Sequence, residues 1–124
     1  MILDKLFSNK NNVILKKVLD FSAQNHKIIA NNIANVETPG FTAKKLVFEN
    51  ELRGAIKSGD ISSIKGVKSF IKEDVSSPYR MDMNNVDLEK EMIKMEENRL
   101  RYEMVGSLLQ KKLSKWKEIF AGVK

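Results

Sequence analysis

The sequence predicts a mainly α protein with a long amphipathic helix at each end. These helices are expected to form an antiparallel coiled-coil pair in an assembled polymer, with a short helix and a loop-rich insert between them. Three observations predict this. Apolar residues recur in steps of three and four from Val13 to about Asn35, and again from Leu88 to Phe120. Residues 58–84 lose that periodicity and carry six serines, Gly59, Gly66 and Pro78. The expected segments are 1–12, 13–57, 58–84 and 85–124, making one domain in all.

Residues 1–12 hold a short apolar patch (Ile2, Leu3, Leu6, Phe7), and Asn9-Lys10-Asn11-Asn12 reads as a loop. The first long helix carries Ile14, Val18, Phe21, Asn25, Ile29, Ile33 and Val36 along one row, widened by Leu15 and Leu19. At 1.5 Å per residue it is roughly 35 Å long. It closes on Asn31, Asn32 and Asn35. Asparagine is a poor helix former because its amide competes for nearby backbone groups, so this cluster implies that amides are wanted there. Pro39 biases Thr38 away from helical dihedrals, and Pro39-Gly40 suits the centre of a type II turn.

Phe41 to Lys45 reads as extended. Leu46 to Lys57 reads as a shorter amphipathic helix through Leu46, Phe48, Leu52, Ala55 and Ile56, ended by Ser58-Gly59-Asp60. Residues 58–84 form a loop-rich insert with one or two short strands.

The last helix has the clearest pattern. Leu88, Met92, Met95, Arg99, Tyr102, Gly106, Leu109, Leu113, Trp116 and Phe120 advance by a mean step of about 3.6 residues. Asn84 or Asn85 is expected to cap it, with Asp87, Glu89 and Glu91 in the first turns, where the helix dipole favours acids. Glu97 and Arg101 are spaced to pair. Gly106 is either tolerated or marks close approach of a neighbouring helix. Trp116 and Phe120 read as helix–helix anchors. Ile93, Leu100, Met104, Leu108 and Ile119 widen the stripe beyond what a two-helix hairpin covers, so further copies or other chains are expected to complete the core. The helix-packing residues are therefore Ile14, Val18, Phe21, Ile29, Ile33, Met95, Tyr102, Gly106, Leu109, Leu113, Trp116 and Phe120.

Composition removes several function classes. The chain has no cysteine and one histidine, His26, with no carboxylate at ligand spacing, so no metal site, cofactor or thiol chemistry is expected. It has no phosphate-binding glycine loop, zinc-protease motif or nucleophile elbow, and the helix carboxylates lie among lysines as a solvated face. No enzyme is expected. The net charge is +6, from 22 basic and 16 acidic residues. A nucleic-acid-binding protein would need a one-sided basic stripe, whereas the signs alternate here. No apolar run is long enough to span a bilayer, and the N-terminus lacks the pattern of a cleavable signal.

The stretch Asn31-Asn32-Ile33-Ala34-Asn35-Val36-Glu37-Thr38-Pro39-Gly40-Phe41 resembles the N-terminal motif shared by rod and hook proteins of the bacterial flagellum. Met81-Asp82-Met83-Asn84-Asn85-Val86-Asp87-Leu88-Glu89-Lys90-Glu91-Met92 looks like the signature of the proximal rod members of that family, and Glu97 to Tyr102 fits as well. Met83 departs from the pattern, which commonly has glycine there. The resemblance implies that Asn31, Asn32, Ile33, Ala34, Asn35, Thr38, Pro39, Gly40 and Phe41, with Asn85, Val86, Asp87, Leu88, Glu91 and Met92, serve assembly. It implies export by the flagellar type III system with the 1–12 segment as signal, and placement in the periplasmic rod. The implied partners are other copies of the chain, the rod protein FlgC, the adapter FliE, the MS-ring protein and the export gate, with no nucleic acid and no membrane insertion.

Overall fold

The computed structural model describes residues 2–122. Met1, Val123 and Lys124, at the ends of the first and last expected segments, lie outside the described residues, as does the side chain of Ile2. The elements are α1 (Ile2–Leu6), α2 (Lys10–Ala34), β1 (Lys44–Val47), α3 (Glu49–Ser58), α4 (Ile61–Lys65), β2 (Phe70–Glu73) and α5 (Leu88–Gly122).

The Asn9–Asn12 stretch is not a loop. The Asn9 side chain accepts the Asn11 N–H at 2.8 Å, a cap that starts α2 at Lys10. Asn12 is buried in the first turn, where its amide donates to the Leu6 carbonyl at 2.8 Å and fastens α1. At the other end the Asn35 N–H reaches the carbonyls of Asn31 and Asn32, closing the helix. The Pro39-Gly40 turn forms as expected. Gly40 has φ +76, and the Phe41 N–H bonds to the Thr38 carbonyl at 3.3 Å.

Leu46 and Val47 belong to β1 rather than to a helix. They pair antiparallel with Ile71 and Phe70 of β2, and the helix begins only at Glu49. Gly59, at φ +74, ends α3 as its sequence position suggested. The 58–84 insert contains a short helix the periodicity did not reveal. Asp60 caps α4 by accepting the Ser62 N–H, and Ile64 of that helix is fully buried.

The main apolar core lies between α2, α3 and α4, and consists of Val13, Phe21, Phe48, Leu52, Ile64 and Val67. The Phe21 and Phe48 rings sit 4.7 Å apart, centroid to centroid. Ile14, Val18 and Phe21 pack into this core with the middle helices. The other side of α2 receives α5, running antiparallel. Asn32 meets Glu91, Asn25 meets Asn98, and Leu19 faces Gly106.

The inward face of α5 is displaced from the expected row. Glu91, Asn98 and Val105, each one position before the expected row, are buried; of that row Leu109 is buried as expected, while Leu88, Met92, Tyr102 and Phe120 are exposed. Met95, Leu113 and Trp116 are half-buried. The displacement arises because the first half of the seam is polar. Buried amides on α2 and α5 satisfy one another, and this outweighs the preference of an apolar row for the interior. Arg101 bridges to Glu49 at 3.5 Å instead of pairing with Glu97. Gly106 allows no unusually close approach, since an added methyl would meet Leu19 Cδ1 at 3.8 Å, an ordinary contact. Asn84 and Asn85 do not cap α5. Asp87 does, its carboxylate accepting the Lys90 N–H at 3.2 Å.

Candidate assembly site at the asparagine junction

The two motif segments meet in space. Asn32, on the last turns of α2, is fully buried; its Oδ1 accepts the Lys44 N–H at 2.9 Å, and its Nδ2 donates to the Lys44 carbonyl at 2.7 Å. The amide thus stands in for a neighbouring strand along β1. The second Nδ2 proton reaches Glu91 Oε2 at 3.1 Å, so both donors are used. Glu91 is itself buried, and Lys94 lies 3.6 Å from its other oxygen.

Asn35 organises the turn that follows. Its amide donates to the Asn31 carbonyl at 2.8 Å, and its Oδ1 accepts the Thr38 hydroxyl at 3.0 Å. Asn84 then ties the second segment to this turn. Its Nδ2 donates to the carbonyls of Asn35 at 2.9 Å and Thr38 at 2.8 Å, while its Oδ1 accepts the Val86 N–H. Asn85 works on the strand side, accepting the Ala43 N–H and donating to the Asp74 carbonyl, both at 2.7 Å. Arg80 spans the two segments, donating to the Val86 carbonyl at 2.8 Å and to the Val36 carbonyl. The Gly40 N–H closes the assembly on the Asp82 carbonyl at 2.8 Å.

Below the junction, Asp74 is a buried charge with a full set of partners. Burial pushes its carboxyl up, but the Ser76 hydroxyl and N–H and the Lys94 ammonium outweigh this and hold it well below the usual carboxylate range. Further along the seam, Asn98 donates to the Ser22 carbonyl at 2.7 Å and accepts from Asn25 at 3.1 Å.

Of the motif residues, Asn32, Asn85, Val86 and Glu91 are buried and brought together, and Asn35, Thr38, Gly40, Phe41 and Asp87 shape the surrounding turns. Asn31 contributes its carbonyl and side-chain oxygen to Asn35. Ile33 is half-buried, whereas Ala34, Pro39, Leu88 and Met92 point to solvent. Asp74, Arg80, Asn84, Lys94 and Asn98 were not singled out as site residues from sequence. The seven-residue spacing of Glu91, Asn98 and Val105 was the available signal for a seam one position away from the apolar row.

Met83 has φ +64, the left-handed conformation that glycine adopts without penalty, and it follows a turn closed by its own N–H on the Arg80 carbonyl. The departure from the motif therefore falls where the backbone requires a positive φ.

The junction coincides with a family signature. Residues 22–42 match the family model described as flagella basal body rod protein. Over 120 residues the chain is 32% identical to the flagellar basal body rod protein FlgB of Bacillus subtilis (strain 168), covering 89% of this chain and 92% of the relative. The chain belongs to the FlgB family of flagellar basal body rod proteins. The FlgB of Salmonella typhimurium is 30% identical over 124 residues, covering 86% of this chain and 90% of its own, and that of Borrelia hermsii is 33% identical over 110 residues, covering 74% and 82%. As a member of the FlgB family the chain is a structural component of the basal body rod rather than an enzyme. No helix among the described residues is long and apolar enough to cross a membrane.

Proposed function

We propose that this chain is a proximal rod subunit that polymerises through α2 and α5 and joins the MS ring and export gate to the rest of the rod. The observation that carries this reading is the outer face of α5. Ile93, Leu100, Met104, Leu108 and Ile119 are all between 42% and 65% exposed, outside the buried seam of Glu91, Asn98, Val105 and Leu109. A row of large apolar side chains this long on an isolated subunit favours burial against neighbours. The asparagine junction supports the reading by holding the α2–α5 pair at a fixed register, so that each subunit presents the same surface.

In this reading FlgC, FliE, the MS-ring protein and other copies of the chain are the neighbours. The 1–12 segment serves export through the flagellar type III system to the periplasmic rod. Coiled-coil geometry between α2 and α5 belongs to the polymer.

Deleting the chain tests the proposal. The expected result is basal bodies with an MS ring and no rod, restored by the intact chain. Rods that still assemble without it would sink the reading. A second arm replaces Leu100 and Met104 with serine, which is expected to leave the fold in place and abolish rod formation.

A further inference from the structure

The groove between α2 and α5 holds a socket of about 330 Å³. Ser22 and Asn98, both buried, form its floor; Ala23 and Tyr102 wall it, and His26 and Lys27 stand exposed at the rim. The walls are largely apolar, yet the buried Ser22 hydroxyl has no hydrogen-bond partner among the described residues. A buried donor left unpaired is unfavourable. The occupant that suits this socket is therefore a long apolar side chain carrying an acceptor atom. Methionine has that form: it is unbranched and adaptable, its sulfur accepts a hydrogen bond weakly, and it packs favourably against an aromatic ring such as that of Tyr102.

Such a side chain stands elsewhere on the same subunit. Met81 is the most exposed large apolar residue among the described residues. It occupies the second position of a tight turn, closed by the Met83 N–H on the Arg80 carbonyl at 3.0 Å. The turn is held on both sides. The Arg80 N–H bonds to the Asn84 carbonyl, and the Gly40 N–H to the Asp82 carbonyl, both at 2.8 Å. A tip fixed in this way has little freedom to lose on docking. Met104, by contrast, lies between Leu100 and Leu108 on the convex face of a helix, a surface that does not enter a socket.

The charges agree with the shapes. Lys27 has no ionic partner among the described residues, whereas Arg99 is taken up by Glu96 and Glu103. Asp82 follows Met81 at the tip, and Asp87 and Glu89, also without ionic partners among the described residues, lie on the segment that follows. An acidic tip thus meets a basic rim. The tip does not reach the socket of its own subunit. Arg80 is tied to Val36, and His26 lies ten residues back from there, about 15 Å along the helix.

We infer that Met81 of one copy enters the socket formed by Ser22, Ala23 and Tyr102 of a second copy. The inference rests on the polymerisation reading and names a contact within it. Tip and socket are different surfaces, so the contact is head-to-tail and repeats from copy to copy.

Assembled rods provide the test. Cells supplied with a photoreactive diazirine analogue of methionine are irradiated, and cross-links are mapped by mass spectrometry. Position 81 is expected to be joined to residues 22–27 or to Tyr102 of another copy. In parallel, M81S is expected to lower rod yield at least tenfold with an unchanged urea midpoint, and M81L to keep the yield within twofold of wild type. A23F, which fills the socket from an exposed position, is expected to lower the yield as M81S does. Cross-links from position 81 that reach only other regions or other proteins would overturn the contact. So would their absence while other labelled methionines cross-link, or wild-type rod yield from M81S or A23F. If labelled cells build no rods, or no methionine cross-links, those two variants decide. Rods that form without the chain would instead remove the polymerisation reading beneath it.

Discussion

Asn32 and Lys44 pair as two strands would, the side-chain amide of one bonding both the N–H and the carbonyl of the other. A helix end is thereby joined to a strand edge by a residue that is fully buried. Replacing Asn32 with leucine leaves the two Lys44 backbone groups and the Glu91 carboxylate without this partner. Each buried group left unsatisfied costs about 1–3 kcal/mol, so a total loss of about 3–5 kcal/mol is expected, read as a lower urea midpoint.

Met83 stands in the left-handed region. A side chain there costs about 1–2 kcal/mol, partly offset by the backbone entropy that glycine loses on folding. Met83→Gly is expected to raise stability by about 0.5–1 kcal/mol, measured by thermal unfolding. A lower melting temperature would show that the exposed methionine makes a contact worth more than the strain.

Gly106 sits within α5 with room for a methyl. Gly106→Ala is expected to stabilise the chain by about 0.5–1 kcal/mol through helix propensity alone. Denaturant titration checks this. A loss would mean that the backbone there needs the freedom of glycine.

Asp74 gives the acid limb of stability its shape. Its carboxyl is lowered from the ordinary value of 3.8 in the folded chain, so the unfolded chain binds the proton more readily. The contribution is therefore full above the ordinary value and is lost as pH falls from there toward the depressed folded value. Asp74→Asn is expected to lower stability at pH 7 by about 1–3 kcal/mol, with the difference from wild type shrinking between about pH 4 and pH 2. Urea titrations at stepped pH provide the comparison, and a difference that stays constant across that range would contradict the assignment.

The long helices, the type II turn at Pro39-Gly40 and the end of α3 at Gly59 were legible because each depends on local chemistry: periodicity, a fixed proline φ, or a glycine able to adopt positive φ. Leu46 was misassigned because its apolar spacing suits a helix and a strand alike, and only pairing with Ile71, far along the chain, decides between them. The face of α5 was misplaced for a related reason. Glu91 and Asn98 look like surface residues until Asn32, Ser22 and Asn25 are brought opposite them. Polar partners distant in sequence leave no periodic trace, so the asparagines marked where amides were needed without revealing what they would bond.

The contrast between the two sides of α2 bears on how faithfully the chain folds. Its oily side, against α3 and α4, is held by buried area and shape, which are less directional than hydrogen bonds. Its amide side, against α5, rewards one alignment. Sliding α5 by a single turn would take Glu91 away from Asn32 and Asn98 away from Asn25 and the Ser22 carbonyl together. Several kcal/mol of unmatched polar groups would then oppose the slipped form. The asparagines act as a proofreading step within the monomer, rejecting a misaligned subunit before it is offered to a neighbour.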